Sequence, residues 1–178
     1  MSFVRDNYNN KIVNDLKSEF KYKNDLQIPR LEKICLSVAF KATDVDNSFL
    51  SYTLDTLSKV SGQKAVLVKA KKSISTFKVR QGMNIACRVT LRKDKMYEFL
   101  DRLIYVALPR IRDFRGLSSK SFNQSNHYSF GIKEHTIFPE VEMDKVVKIF
   151  GMDFNIVSNA KSKNEALALL RGLNFPIK

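Results

Sequence analysis

The strictest constraint on the fold is the run at residues 84–92. Ile85, Cys87, Val89 and Leu91 alternate there with Ala86, Arg88, Thr90 and Arg92. A period of two puts one set on each side of a pleated strand. The apolar set must face a core, because a one-residue slip would expose all of it. Arg88, Thr90 and Arg92 are therefore forced onto one side of a sheet. Cations and a hydroxyl in a row suit phosphate and ribose.

The same strand closes a long stretch without acid. From Thr56 to Lys93 there is no Asp or Glu, while ten Lys and Arg residues occur, against a net charge of +13 for the whole chain. Such a block repels itself unless an anion neutralises it, and nucleic acid is the polyanion that fits. Within it, residues 71–82 read as a long exposed loop. Lys71, Lys72, Lys78 and Arg80 surround Ser73, Ser75 and Thr76, with Ile74, Phe77 and Gln81 between and beside them. Phe77 either stacks on a base or ribose or folds into the core. The loop lacks the spaced glycines and Gly-Lys-Ser/Thr ending of a triphosphate-binding loop.

Elsewhere the periodicity alternates between helix and strand. Tyr8, Ile12, Val13, Leu16 and Phe20 outline an amphipathic helix. Residues 31–40 alternate as a strand with Ile34, Leu36, Val38 and Phe40 on its buried face and Cys35 and Ser37 on the other. Asp46 or Asn47 starts a second helix and Gly62 stops it. Residues 65–70 form a short strand. Asp94 is placed to cap a third helix, carrying Met96, Phe99, Leu100, Leu103, Ile104 and Ala107 and closed by Pro109. Strands are expected at 128–132 and 153–158. Ser162 and Glu165 form a capping box for a last helix ended by Gly172. A 178-residue chain with 44% apolar residues can bury one good core. The expected fold is α+β: a single compact domain spanning 1–178, with a mostly antiparallel sheet, helices packed on one face and a protruding basic loop.

Catalysis has little to build on. Cys35 and Cys87 lie in strand-like runs and read as buried thiols in a reducing compartment. His127 and His135, the only histidines, read as surface or loop residues. They have neither a nucleophile elbow nor metal-ligand spacing around them. Glu134, Glu140, Glu142 and Asp144 read as a solvated surface. No catalytic residue, cofactor, metal, small-molecule substrate or membrane partner is expected. Arg110, Arg112 and Arg115, with Asp113 and Phe114, follow a helix end, whose dipole favours cations.

Several blocks carry a family resemblance: SGQK at residues 61–64, AKKSISTFKVRQG at 70–82, VTLRKDKMYEFLDRL at 89–103, PRIRDFRGLS at 109–118, FPE at 138–140 and GMDFNI at 151–156. The chain resembles the bacterial and organellar form of large-subunit ribosomal protein five over its whole length. The resemblance implies a structural protein that docks 5S rRNA, together with large-subunit rRNA, at the central protuberance. It implies rRNA contacts at Gln63, Lys64, Thr90 and Arg92; the strand face adds Arg88, and Ser37 stands where the family's Asn would make a further, here weakened, contact. It implies that the 71–82 loop reaches the peptidyl-site tRNA. It implies that Arg110, Arg112, Asp113, Phe114 and Arg115, with residues 133–142, meet the small-subunit head protein thirteen in an intersubunit bridge.

The chain departs from that family where an Asn is usual and Ser37 stands, and where a Gly-rich turn is usual and Val38, Ala39, Phe40 and Lys41 stand. Val68 replaces a hydroxyl residue, and residues 124–126 replace a Gly-x-Gly. Lys outnumbers Arg 21 to 10, and Asn occurs 13 times. With no leader visible, these features suggest a protein encoded in a mitochondrion and working in its matrix; the alternative is a bacterial cytoplasm. The alternative functions are a general structured-RNA chaperone and an RNA-modifying enzyme, the second lacking a visible catalytic constellation.

Overall fold

A computed structural model of the chain describes residues 2–41 and 46–178. The alternating run forms a strand, β3, at Asn84–Leu91. Cys87, Val89 and Leu91 are buried, while Arg88 is exposed and Thr90 half-buried. The other strands are β1 at Leu31–Ala39, β2 at Val66–Lys69, β4 at Tyr128–Ile132 and β5 at Met152–Ser158. They form one antiparallel sheet in the order β2-β3-β1-β5-β4. In β2 and β3 the register pairs Val66 with Arg88 and Val68 with Ala86, and a bulge follows Val68.

By contact within the chain there are two compact units. The first comprises Met1–Ile34, Arg92–Phe130 and Asn155–Lys178; the second comprises Cys35–Leu91 and Gly131–Phe154. In the first unit the N-terminal helix is α1, Phe3–Asn7, continued by a π turn at Tyr8–Ile12 and by α2, Val13–Phe20. Val4, Ile12 and Leu16 are its buried residues. Helix α4, Lys93–Arg102, packs on α1, and α5, Lys163–Gly172, packs on α2. Met96, Phe99, Leu100, Leu103, Ile104 and Ala107 are all buried, as their spacing requires. The Tyr8 hydroxyl donates to the Pro29 carbonyl at 2.9 Å. Burial pushes the Tyr8 phenol up to about 12.

In the second unit α3, Asn47–Ser61, packs on β3. Gly62 ends it with φ +64°, a left-handed conformation that costs glycine nothing. Among the described residues no helix is long and apolar enough to cross a membrane.

Four local expectations need correction. Asp94 does not cap α4: Arg92 holds the N-cap position without a side-chain hydrogen bond, and the Asp94 carboxylate pairs with Arg5. Gly172 lies inside α5, and Asn174 takes the left-handed turn at φ +60°. A Cβ on Gly172 would lie 3.1 Å from the Ile12 side chain, so close packing explains this glycine. β1 is not buried on one face only, because Cys35 is buried together with Ile34 and Leu36. His135 is no surface residue: it is fully buried, stacked on Phe150 with centroids 3.9 Å apart. An apolar stretch next to a single His carries no periodic signal, so its burial was invisible in the sequence. The capping box forms in a shifted version. The Ser162 hydroxyl accepts from the Glu165 N–H, while Glu165 accepts from the N–H of Lys161.

Candidate nucleic-acid interface

Arg88 and Thr90 of the β3 face stand among three elements of the second unit, while Arg92, next in the row, opens the 92–130 segment of the first unit. Cys35 Sγ on β1 lies 3.8 Å from Thr90 Oγ1 and 3.5 Å from Arg88 Nη2. The three side chains therefore share one face. Ser37 is two residues beyond Cys35 on β1, so it points the same way, and it is half-buried. Gln63 follows α3 and donates from Nε2 to the Thr90 carbonyl at 3.2 Å. Ser61 holds it in place: the Ser61 hydroxyl donates to the Gln63 carbonyl and accepts from its N–H. Part of Gln63 is thus committed to the protein itself. Lys64 next to it is exposed. After β3 the chain stays extended at Arg92, with φ −141° and ψ 162°, and Arg92 is exposed.

The chain's two thiols are Cys35 and Cys87. Both are free and buried, and burial pushes the Cys87 thiol up to about 11. Cys35, beside Arg88 and Thr90, acts as a small packing residue that keeps the row in position. Nothing in the sequence hinted that Cys35 supports the row, since strand order had to be known first.

The basic loop is a fastened hairpin rather than an open loop. Ile74 and Val79 exchange backbone hydrogen bonds at 2.9 and 3.1 Å. At the base, Ala70 donates to Met83 at 2.8 Å and accepts from Gly82 at 3.0 Å. The Ser73 hydroxyl accepts from the Gln81 N–H at 2.9 Å, so this oxygen partly serves the hairpin. The tip is a single 3-10 turn, Ser75–Phe77, closed by Lys78 at φ +53°. Lys71, Lys72, Lys78 and Arg80 are exposed. Phe77 is 69% exposed, which removes the reading that folds it into the core. Phe40 was missed by sequence reasoning. Its N–H donates to the Ile85 carbonyl and its ring stands beside the hairpin base.

The arginine cluster belongs to the first unit. Arg110 ends a 3-10 turn, Leu108–Arg110, after the π turn Leu103–Ala107. Arg110, Arg112, Asp113 and Arg115 are exposed and Phe114 is half-buried. Asp113 at φ +57° and Gly116 at φ +93° make the turn. The next residue, Leu117, is pinned by the C-terminal segment through Pro176 and Lys178. Residues 133–142 lie in the second unit. There Glu142 pairs with Lys145 at 2.5 Å, and that contact holds its carboxyl below the ordinary range. Among the described residues no group of three or more His, Cys, Asp or Glu is placed to hold a metal ion.

Known proteins share this sequence closely. The family described as ribosomal protein L5 matches residues 24–80, and the model for the C-terminus of that ribosomal family matches residues 84–177. Large ribosomal subunit protein uL5 of Wolbachia pipientis subsp. Culex pipiens (strain wPip) is 50% identical over 169 residues, 95% of each chain. The protein of the same description from Blochmanniella floridana is 48% identical over all of this chain and 94% of its own length. Both relatives are bacterial, so they support the bacterial alternative and lend none to a mitochondrial origin. With two adjoining family matches and half its residues shared with a full-length relative, the chain belongs to the ribosomal protein L5 family, which is structural rather than enzymatic.

Proposed function

We propose that the chain is an rRNA-binding constituent of the large ribosomal subunit, working in a bacterial cytoplasm, with two RNA-facing surfaces. Arg88, Thr90 and Arg92, with Ser37, Gln63 and Lys64, take 5S rRNA. The hairpin at 71–82 reaches peptidyl-site tRNA. The surface at Arg110, Arg112, Asp113, Phe114 and Arg115 meets the small-subunit head protein thirteen in an intersubunit bridge. The observation that carries this reading is the acid-free stretch resolving into two differently built cationic surfaces.

The mechanism is electrostatic capture followed by shape recognition. Lys and Arg neutralise phosphates and release counterions, so affinity falls steeply with salt. Arg88 and Thr90 are held in fixed register by the sheet, by Cys35 and by Gln63, and the row reads a folded RNA through its backbone and 2′-hydroxyls. The hairpin carries Lys71, Lys72 and Arg80 along its length and Lys78 at its tip.

Reconstitution of large subunits tests the division of labour. A protein with Lys71, Lys72, Lys78 and Arg80 changed to Gln is expected to enter the subunit with 5S rRNA at the wild-type level. Peptidyl-site tRNA should then be held more weakly. Subunits that lose 5S rRNA through this change would contradict the assignment.

A further inference from the structure

A groove of about 840 Å³ lies beside the hairpin, between it and the adjoining ends of β1 and β3. Its walls include Phe40, Ile74, Phe77 and Ile85. The Phe40 ring is braced edge-on by Phe49 at 5.7 Å and 74°, so it presents a fixed surface. Phe77 and Ile74 are 69% and 46% exposed. Lys41, Lys71, Lys72 and Lys78 also line the groove, and its described lining residues include no acid.

This combination selects its occupant. A volume of that size falls in the range of small-ligand sites, about 300–1,000 Å³. Apolar and aromatic walls suit a flat ring, and lysines around them suit the phosphates on either side of it. A base pair inside a duplex hides its faces in the stack; only an unpaired, unstacked nucleotide offers a face to an aromatic ring. An acidic peptide would satisfy the lysines but leave the aromatic walls without a flat partner. Resting on the reading that RNA reaches the hairpin, we propose that this groove receives one unstacked nucleotide of that RNA. The base lies against Phe40 and Phe77, and its flanking phosphates lie against Lys71, Lys72 and Lys78. The hairpin would then do more than attract charge, because it would recognise a local break in stacking.

The test uses the full chain and two short blunt RNA duplexes that carry 2-aminopurine. In one the 2-aminopurine is a single bulged nucleotide; in the other it is paired. The bulged duplex is expected to bind about tenfold more tightly, an ordinary value for one base stacked on an aromatic side chain. Its fluorescence should fall on binding. Phe77→Ala should reduce the preference to about twofold or less. Because that ring is mostly exposed, thermal unfolding should stay unchanged. Phe40→Ala should act in the same direction.

Equal binding of the two duplexes by the wild-type protein would overturn the groove assignment and leave the RNA reading intact. So would a preference that survives Phe77→Ala, or displacement of the bulged duplex by a glutamate-rich peptide but not by adenosine monophosphate. Failure of both duplexes to bind at low salt would instead contradict the RNA reading itself.

Discussion

The β3 row and the 71–82 hairpin come from one acid-free stretch, yet they are built in opposite ways. In the row, Arg88 and Thr90 are placed by something larger than themselves. The sheet sets their direction, Cys35 contacts both Arg88 and Thr90, and Gln63 clasps the Thr90 carbonyl. In the hairpin the order is local: one backbone bridge, one serine hydroxyl and a tight base, with cations and Phe77 left in solvent. The same charge is thus offered once on a fixed frame and once on a projecting arm. A fixed frame recognises a shape that is already folded, whereas an arm follows a partner that arrives and leaves.

The largest effect should come from the arm, through charge alone. Changing Lys71, Lys72, Lys78 and Arg80 to Gln removes four cations. The slope of log affinity against log salt for tRNA should fall by about 3, while thermal unfolding stays where it was. A slope that does not change would mean that these cations meet no phosphate. The frame should answer differently. Thr90→Ala with Arg92→Ala is expected to weaken 5S rRNA binding by about 10- to 100-fold, from one charged and one neutral hydrogen bond. Its salt slope should fall by only about 1. Similar slope losses in the two variants would erase the distinction between arm and frame.

A third, smaller effect tests the second unit's packing without touching RNA. The Phe150 N–H donates to His135 Nδ1, so the ring's own proton sits on Nε2 and faces the Tyr52 hydroxyl, 2.9 Å away. Burial lowers the His135 pKa from 6.5, since the neutral ring is the form that fits. The unfolded chain therefore binds this proton at higher pH than the folded one. The stabilisation is complete above about pH 6.5 and is lost as pH falls through the folded value. Urea midpoints should drop between about pH 7.5 and about pH 5, and His135→Leu should flatten that slope. A wild-type midpoint independent of pH would mean that the buried ring accepts a proton without penalty. The smallest effect is Phe77→Ala on stability, within about 0.5 kcal/mol by thermal melting; a larger loss would mean that the tip packs into the fold.

What the sequence reveals divides along the same line. Strict alternation forces Arg88 and Thr90 onto one face, and helical spacing identifies the buried residues of α4, because both signals repeat within one element. Cys35 beside Thr90, Phe40 beside the hairpin and His135 against Phe150 depend on which elements meet, and no periodicity encodes that. The hairpin ladder was hidden because Ser73, Ile74, Val79 and Gln81 form it with a single bridge, too short for a strand pattern. Asp94 misled for a related reason: a capping residue next to a helix start was instead drawn to Arg5, far away in the sequence.

The central claim is that the β3 row binds a particular folded RNA. The most direct measurement is a titration of labelled 5S rRNA with the full chain, at two salt concentrations, against excess unrelated structured RNA. The wild-type protein and the Thr90→Ala, Arg92→Ala variant are compared side by side. The account predicts that the competitor leaves wild-type binding in place at both salts, and that the variant's remaining binding is displaced. If the competitor displaces both proteins equally, the row is a general cationic surface and the claim is wrong.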